Sequence, residues 1–220
     1  MNKQAIIFGA TGAVGRQLLD LCLNGDIYQK VTVIARRSAS LSHAKLNWVE
    51  AELNVLDSLA PISGLVAGDA FCCLGTTIKA AGSKEAFRLV DFDYVVKTVR
   101  FAKKCGVMNF SMISAVGADA KSNSFYNRTK GEVEAAVIAE KIPFLRIFRP
   151  SLLKGKRDDF RPVEVIGNIA SMLLTPLFFF GLRKYKPLEI EKLARALYKT
   201  ANEGSVGTVR IYESNELQSY

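Results

Sequence analysis

Residues 6–15 read IIFGATGAVG, an apolar run followed by three glycines that are each separated by two residues. The apolar run is typical of a buried parallel strand, and Gly9 would permit the tight turn that follows it. Gly12 would let the backbone approach a phosphate, and Gly15 would let the next helix pack closely on the sheet. The stretch therefore predicts a strand, a glycine turn and a helix N-terminus that receives the pyrophosphate of a dinucleotide.

The residues after the glycines support this order. Apolar residues continue at helical spacing through Leu18 and Leu21, and Asn24-Gly25 is a typical helix end. The alternative is a structural turn that binds nothing, because glycine is common in turns. The candidate cofactor-binding residues of this first unit are Gly9, Thr11, Gly12, Ala13, Val14 and Gly15.

Six predicted strands alternate with helices up to residue 150. The pattern predicts the α/β class, as a doubly wound Rossmann-type parallel sheet with strand order 3-2-1-4-5-6. Residues 1–150 would form the dinucleotide-binding core. Residues 151–220 would form a small C-terminal cap with helices and a closing strand, integral to the same domain. The later predicted strands are 31–35, 46–49, 69–74, 107–114 and 144–148, with the closing strand at 208–212.

The composition limits the classes of function. The 220 residues carry a formal net charge of +9, and 49% are hydrophobic, which indicates one compact body. No leader-like stretch precedes the first strand, so we expect a cytoplasmic protein. His43 is the only histidine, which excludes a multi-histidine metal site, and we expect no metal. The four cysteines lack disulfide or metal-ligand spacing, so we interpret them as buried apolar residues.

The tail leaves its partners open. Basic residues gather from Lys141 to Lys186 without the exposed aromatics typical of RNA binding, so we expect a solvated basic face and no nucleic acid. The stretch Val165 to Leu182 is uncharged, but it is too short and too rich in polar residues to span a membrane. Residues 163–182 form either an amphipathic helix packed on the domain or a second subunit, or a peripheral membrane contact. Monomer and homodimer both remain open.

Three residues in the second half are candidates for catalysis. The fifth predicted strand ends at Ser114, and Tyr126 and Lys130 share one face of the next helix. The reference pKa of tyrosine is about 10, so a nearby lysine is needed to stabilise its phenolate as a base. Ser114 and Tyr126 would both lie at the carboxyl edge of the sheet, the same edge as the glycine turn. The alternative is a surface tyrosine with a solvated lysine.

The end of the second strand bears on the choice of cofactor. An acidic residue at this point would accept hydrogen bonds from the ribose of NAD, but the chain reads Ala35-Arg36-Arg37-Ser38. Paired guanidinium groups suit a 2′-phosphate. We therefore predict that Arg36 and Arg37 favour NADP, with NAD as the second choice. The alternative is that both arginines lie on a solvated loop.

Four motifs together resemble the atypical short-chain dehydrogenase/reductase family, and the Tat-interacting-protein subgroup is the nearest match. The resemblance covers essentially the whole chain, with the motifs in the family's order. It implies an NADP(H)-binding oxidoreductase that acts on an unidentified carbonyl or alcohol. The motifs are GATGAVG at 9–15, CLGTT at 73–77, SAVGAD at 114–119 and YNRTKG at 126–131.

The resemblance also implies roles for individual residues. Tyr126 would be the general acid/base, Lys130 its activator and the ribose anchor, and Ser114 the hydroxyl that orients the small-molecule substrate. Tyr126 and Lys130 would thus also contact the cofactor. The residues that would line the cofactor channel are Leu74, Gly75 and Thr76.

One position departs from the family pattern. Many members place an asparagine in the helix before the fifth strand to complete a proton relay, whereas residues 89–93 read LVDFD here, which puts a relay through Asp91 in doubt. The subgroup also includes cofactor-binding regulators, and a fold does not guarantee turnover. Two alternatives stay open: a non-catalytic NADPH-sensing regulatory or binding protein, and a basic membrane- or nucleic-acid-associated protein on a nucleotide-binding scaffold.

Overall fold

A computed structural model of the chain describes residues 3–38, 40–62, 65, 68–155, 185–203 and 208–220. A turn of 3₁₀ helix covers Leu53–Val55, and a π-helical turn, Leu89–Asp93, joins α3 to α4. The strands are β1 (Lys3–Phe8), β2 (Tyr28–Ala35), β3 (Leu46–Glu50), β4 (Asp69–Cys72), β5 (Asn109–Ile113), β6 (Phe144–Arg149), β7 (Leu153–Lys154), β8 (Leu188–Glu189) and β9 (Val209–Glu213). The helices are α1 (Ala13–Asn24), α2 (Ile78–Ala81), α3 (Lys84–Arg88), α4 (Tyr94–Lys104), α5 (Phe125–Ala139), α6 (Ile190–Thr200) and α7 (Ser214–Leu217).

Seven strands form one parallel sheet in the order β3-β2-β1-β4-β5-β6-β9. The predicted Rossmann order 3-2-1-4-5-6 is therefore confirmed. The predicted closing strand is β9, which pairs with β6 and so extends the sheet from the C-terminal part of the chain. The strands β7 and β8 form a separate parallel pair.

The sheet is buried on both faces, as its nearly continuous apolar strands predict. Successive side chains of a strand point to opposite faces, so Ile7 packs into the layer that contains α1 and α6, whereas Ile6 and Phe8 pack into the layer with α4 and α5. The crossover helices cover both faces of the sheet. The carboxyl ends of the strands consequently meet at one edge, where the loops that follow β1, β2, β4 and β5 come together.

The helix predicted from Lys84 to Lys104 is interrupted by the π turn at Leu89–Asp93. Apolar periodicity does not distinguish one wide turn from a regular one, because the flanking residues still fall on the buried face. The wide turn changes the direction of the residues that it contains, and Asp91 is fully buried as a result.

The basic face expected from the sequence is wrong for two of its members. Arg146 is 4% exposed and its Nη1 donates to Asn109 Oδ1 at 3.0 Å. Arg149 forms ion pairs with Glu134 and Glu213. Arg146 is buried, and the half-buried Arg149 is paired with two carboxylates, so neither contributes a free charge to a solvated basic surface. The predicted helix in 163–182, and most of the basic residues near it, lie outside the described residues.

Three of the cysteines, Cys22, Cys72 and Cys105, are buried as expected, and Cys73 is half-buried. Burial raises the pKa of the Cys72 thiol above its usual value, which keeps the thiol neutral. Within the described ranges, no helix is long and apolar enough to cross a membrane.

Candidate active site

The glycine turn after β1 has the backbone that its residues predict. Gly9 has φ of +79°, a left-handed conformation that favours glycine, and an added Cβ would lie 2.8 Å from the Cys73 carbonyl. A Cβ on Gly15 would lie only 2.1 Å from the Gly9 carbonyl oxygen. These distances agree with a tight turn at Gly9 and close helix packing at Gly15.

Gly12 differs from the other two glycines because its Cα faces open space. An added Cβ would meet a single atom, the Gly9 oxygen, at 3.3 Å. Gly12 is the N-cap of α1, and no side chain caps the helix. The first N–H groups of a helix lack partners within the helix, so this end can receive an anion close to the backbone. Thr11 is exposed beside it, whereas Val14 is buried.

The loop after β2 carries the two arginines that are predicted to favour NADP. Arg36 and Arg37 are exposed, and the carbonyl of Arg37 accepts a hydrogen bond from Trp48 Nε1 at 3.1 Å. The backbone N–H of Ser38 donates to Glu50 Oε2 at 3.1 Å. Sequence reasoning missed Glu50, because this carboxylate belongs to the end of the neighbouring strand β3, where it pairs in register with Ala35.

The loop after β4 lies against the glycine turn. A Cβ on Gly9 would be 3.0 Å from the Leu74 backbone nitrogen, and the Cys73 N–H donates to the Phe8 carbonyl at 2.9 Å. Leu74 and Thr76 are half-buried and Gly75 is exposed. The residues predicted to line the cofactor channel therefore border the predicted phosphate site.

One face of α5 carries the predicted tyrosine and lysine. Ser124 caps the start of this helix by accepting from the Asn127 N–H at 3.5 Å. Tyr126 is half-buried with its ring 5.6 Å from that of Phe87, and Lys130, one turn later, is buried. The two groups are close enough for the charge of Lys130 to act on the Tyr126 phenol.

Lys130 has an ionic partner in Asp91, the residue through which the sequence left a proton relay in doubt. Its Nζ lies 2.7 Å from Asp91 Oδ1, and the side chains are 5% and 0% exposed. The other oxygen, Asp91 Oδ2, accepts the backbone N–H of Thr76 at 2.9 Å. The π turn thus places a carboxylate between the lysine and the predicted cofactor channel. The signal in the sequence was the alignment of Asp91 with the family's asparagine position.

The electrostatic balance differs from the one that the Tyr126–Lys130 spacing suggested. Burial raises the pKa of Tyr126 above its usual value; Lys130 opposes this rise and Asp91 adds to it. Burial alone would lower the pKa of Lys130, but Asp91 and Tyr126 outweigh that effect and raise it. The lysine is therefore a cation held by a carboxylate, and the tyrosine is a protonated phenol.

Ser114 contacts a different part of α5. Its hydroxyl donates to Glu134 Oε1 at 2.5 Å, and the carboxylate is held by Arg149, with 2.6 Å from Nη2 to Oε2. Glu134 follows Lys130 by one turn, so it lies on the same helix face. No hydrogen bond joins Ser114 to Tyr126 among the residues that the structure describes. Because the Ser114 hydroxyl uses its hydrogen in the bond to Glu134, its oxygen can only accept a further hydrogen bond.

Solved structures show where this architecture occurs. The Bordetella bronchiseptica enzyme WbmH in complex with NAD⁺ superposes with a TM-score of 0.68 at 19% identity, covering 97% of this chain and 76% of that one. UDP-glucose 4-epimerase from Thermotoga maritima, with UDP-glucose, gives 0.67 at 15% identity, covering 98% and 80%. At such identities the likeness shows the fold alone.

Curated relatives are closer in sequence. Protein HTATIP2 of Rattus norvegicus is 41% identical over 167 residues, which cover 74% of this chain and 68% of the rat protein. The Scheffersomyces stipitis protein FMP52-1, mitochondrial, is 30% identical over 219 residues, covering 97% of this chain and 96% of that protein. The model of a family described as NAD(P)H-binding matches residues 9–154.

The fungal relatives correct one expectation. FMP52 proteins of Scheffersomyces stipitis, Emericella nidulans and Debaryomyces hansenii are all named mitochondrial. This finding overturns the cytoplasmic location expected from the sequence. The expectation depended on the lack of a leader-like stretch, and that feature does not identify a compartment.

Family membership follows from two of these findings. The family model covers more than half of the chain, and a 30% identical relative is matched along nearly its whole length. Both agree with the resemblance carried by the four sequence motifs. The chain belongs to the NAD(P)H-binding family of atypical short-chain dehydrogenases/reductases, near protein HTATIP2.

Proposed function

We propose that this protein is an NADP(H)-dependent oxidoreductase that interconverts a carbonyl and an alcohol on a small molecule. The observation that carries the proposal is the arrangement on α5, where Tyr126 stands one turn from a buried, ion-paired Lys130. The pair is tied through Asp91 to Thr76, in the loop that borders the glycine turn. A proton donor and a dinucleotide site would thus share one edge of the sheet.

The residues present fit a dinucleotide phosphate. The uncapped N-terminus of α1 offers backbone N–H groups, and the open space at Gly12 would admit a pyrophosphate. Arg36 and Arg37 would then bind a 2′-phosphate, which supports NADP over NAD. Their side chains are exposed, and no hydrogen bond or ion pair to another described residue competes for them. The nearby Glu50 carboxylate accepts a hydrogen bond from the Ser38 backbone N–H instead of pairing with these arginines.

The chain's own residues would move the proton. A bound nicotinamide supplies or accepts the hydride at the substrate carbon. Tyr126 would give its hydroxyl proton to a carbonyl oxygen, or take the proton from an alcohol in the reverse direction. Lys130 would hold the ribose, and its charge would oppose the rise that burial and Asp91 cause in the pKa of Tyr126. Ser114, whose oxygen is left as an acceptor, would orient a substrate hydroxyl.

The test is to screen aldehydes, ketones and alcohols by NADPH absorbance and to repeat each positive with Tyr126→Phe. We expect turnover to fall by about 10²-fold or more, the usual scale of general acid/base help, in a folded protein that still binds NADPH. Tyr198→Phe is the matched control, because Tyr198 is also half-buried but packs against Tyr28 in the layer with α1 and α6.

Two outcomes would contradict the proposal. Turnover that is unaffected by Tyr126→Phe would remove Tyr126 from the mechanism. NADPH binding without turnover across the whole screen would point instead to a cofactor-dependent regulator.

A further inference from the structure

The ion pair between Asp91 and Lys130 is the most thoroughly buried pair of opposite charges in the part of the chain that the structure describes. The side chains are 0% and 5% exposed, and Asp91 Oδ1 lies 2.7 Å from Lys130 Nζ. A buried carboxylate needs compensating partners, and here Oδ2 accepts the Thr76 N–H while Oδ1 has the Lys130 ammonium beside it and no further hydrogen bond from the described residues. Both carboxylate oxygens of Asp91 therefore contact a neighbouring group, and the ion pair fixes the position of the Lys130 ammonium.

We propose that Asp91 is a positioning residue that fixes Lys130 and offsets its charge, so that Tyr126 stays protonated and serves as the proton donor in carbonyl reduction. This inference rests on the proposed function and goes beyond it, because it makes Asp91 the residue that sets the protonation state of Tyr126 and so the pH at which each direction of the reaction is fastest. In the absence of Asp91, the uncompensated ammonium would favour the phenolate, which is the form required to take a proton from an alcohol.

The groups around the phenol support this assignment. Tyr126 and Lys130 come from α5, Asp91 from the π turn, and the Cys72 thiol from β4; these are the titratable groups that act on one another here. Burial keeps the pKa of Cys72 raised, so this thiol remains neutral. The remaining charges are one cation and one anion. Their sum is zero, and the burial of Tyr126 then favours its neutral form.

Carbonyl reduction would add one proton and one hydride to the substrate. The Tyr126 O–H bond breaks and an O–H bond forms on the substrate oxygen, while the carbonyl carbon receives a hydride with its two electrons. The substrate is reduced, and the dihydronicotinamide of NADPH is oxidised to NADP⁺. The Tyr126 phenolate that remains regains a proton from water before the next turnover.

The test measures the Tyr126 phenol directly and needs no turnover. Protein labelled with ¹³C at tyrosine Cζ is titrated by NMR, and the Tyr126 signal is assigned by its loss in Tyr126→Phe. In the unaltered protein we expect this signal to titrate above the tyrosine reference of about 10. In Asp91→Asn the midpoint should fall by about one pH unit or more, because an uncompensated cation is left beside the phenol.

Asp93→Asn is the matched control, since Asp93 belongs to the same π turn and no described residue pairs with it. We expect its Tyr126 midpoint to equal that of the unaltered protein. Asp91→Asn leaves a buried lysine unpaired and can unfold the protein, so the double variant Asp91→Asn/Lys130→Met is measured as well. Loss of both charges should leave the Tyr126 midpoint within about half a pH unit of its original position, since the two effects oppose each other.

Activity supplies an independent readout where turnover is found. Alcohol oxidation by Asp91→Asn should become active at lower pH by the same interval as the NMR midpoint. The proposal is overturned if the Tyr126 midpoint of Asp91→Asn does not fall, or if that of the double variant moves by more than about half a pH unit in either direction. An NMR result as expected in a protein without turnover would retain the charge balance and reject the proton-donor role together with the enzymatic function.

Discussion

Two alanine substitutions in the glycine turn, Gly12→Ala and Gly15→Ala, should separate an effect on cofactor binding from an effect on folding. Gly12→Ala places a Cβ 3.3 Å from one atom, the Gly9 oxygen, at a φ of −77° that any residue adopts. The fold should lose only about 0.5 to 1 kcal/mol, the cost of alanine at an N-cap. The same methyl occupies the space that the pyrophosphate would need, so the loss should appear in cofactor affinity.

Gly15→Ala is expected to do the reverse. Its Cβ would lie 2.1 Å from the Gly9 oxygen and 2.8 Å from the Gly9 carbonyl carbon. Both are backbone atoms of a turn that also contacts Cys73, so neither can rotate away. Alanine is normally favoured over glycine in a helix by up to about 1 kcal/mol, but overpacking of this kind costs about 3 kcal/mol or more.

Urea unfolding followed by circular dichroism and calorimetric titration with NADPH separate the two effects. Each lost charge-assisted hydrogen bond to phosphate is worth about 1.5 to 3 kcal/mol, so Gly12→Ala should weaken NADPH binding at least about tenfold. A folded Gly12→Ala variant with unchanged affinity would show that pyrophosphate does not bind at this turn. A Gly15→Ala variant as stable as the unaltered protein would refute the packing argument.

Two further predictions concern charged groups. Replacement of both Arg36 and Arg37 by alanine should lower the preference for NADPH over NADH by roughly tenfold or more. The control Lys30→Ala removes an exposed cation at the other end of β2 and should leave this preference unchanged. Equal affinities of the unaltered protein for both cofactors would contradict the assignment. Glu134→Gln should destabilise the protein by about 1 to 3 kcal/mol in urea, because Arg149 keeps only Glu213; an unchanged unfolding midpoint would show that the network is not stabilising.

The fold could be predicted from the sequence because each level of evidence pointed to the same sheet. Apolar strands without alternation require two covered faces, and the alternating helices supply them. Strand order then follows from right-handed crossovers, and β9 adds a seventh strand at the edge beside β6. The short pair β7 and β8 was missed, because two residues carry no periodic signal.

The site was predictable only where it depends on position along one element. Tyr126 and Lys130 are one turn apart on a helix, so their proximity follows from the sequence alone. Asp91, Glu134 and Glu50 each reach their partners across the fold, through a π turn, a helix-to-strand contact and a neighbouring strand end. Such contacts depend on tertiary packing. The sequence alone does not distinguish a carboxylate that is paired in the interior from one that is solvated.

The cations that would bind the cofactor phosphate lie apart from the cations near the proposed proton donor. Lys130 is paired with one carboxylate, Asp91, and Arg149 with two, Glu134 and Glu213, so neither cation is left to attract a phosphate. Arg36 and Arg37 remain exposed beside the glycine turn, where a cofactor phosphate would approach. Binding would then depend on cations at the rim of the sheet, while the interior around Tyr126 stays close to neutral. A neutral interior is what keeps the phenol protonated, so cofactor capture would not compromise the proton donor.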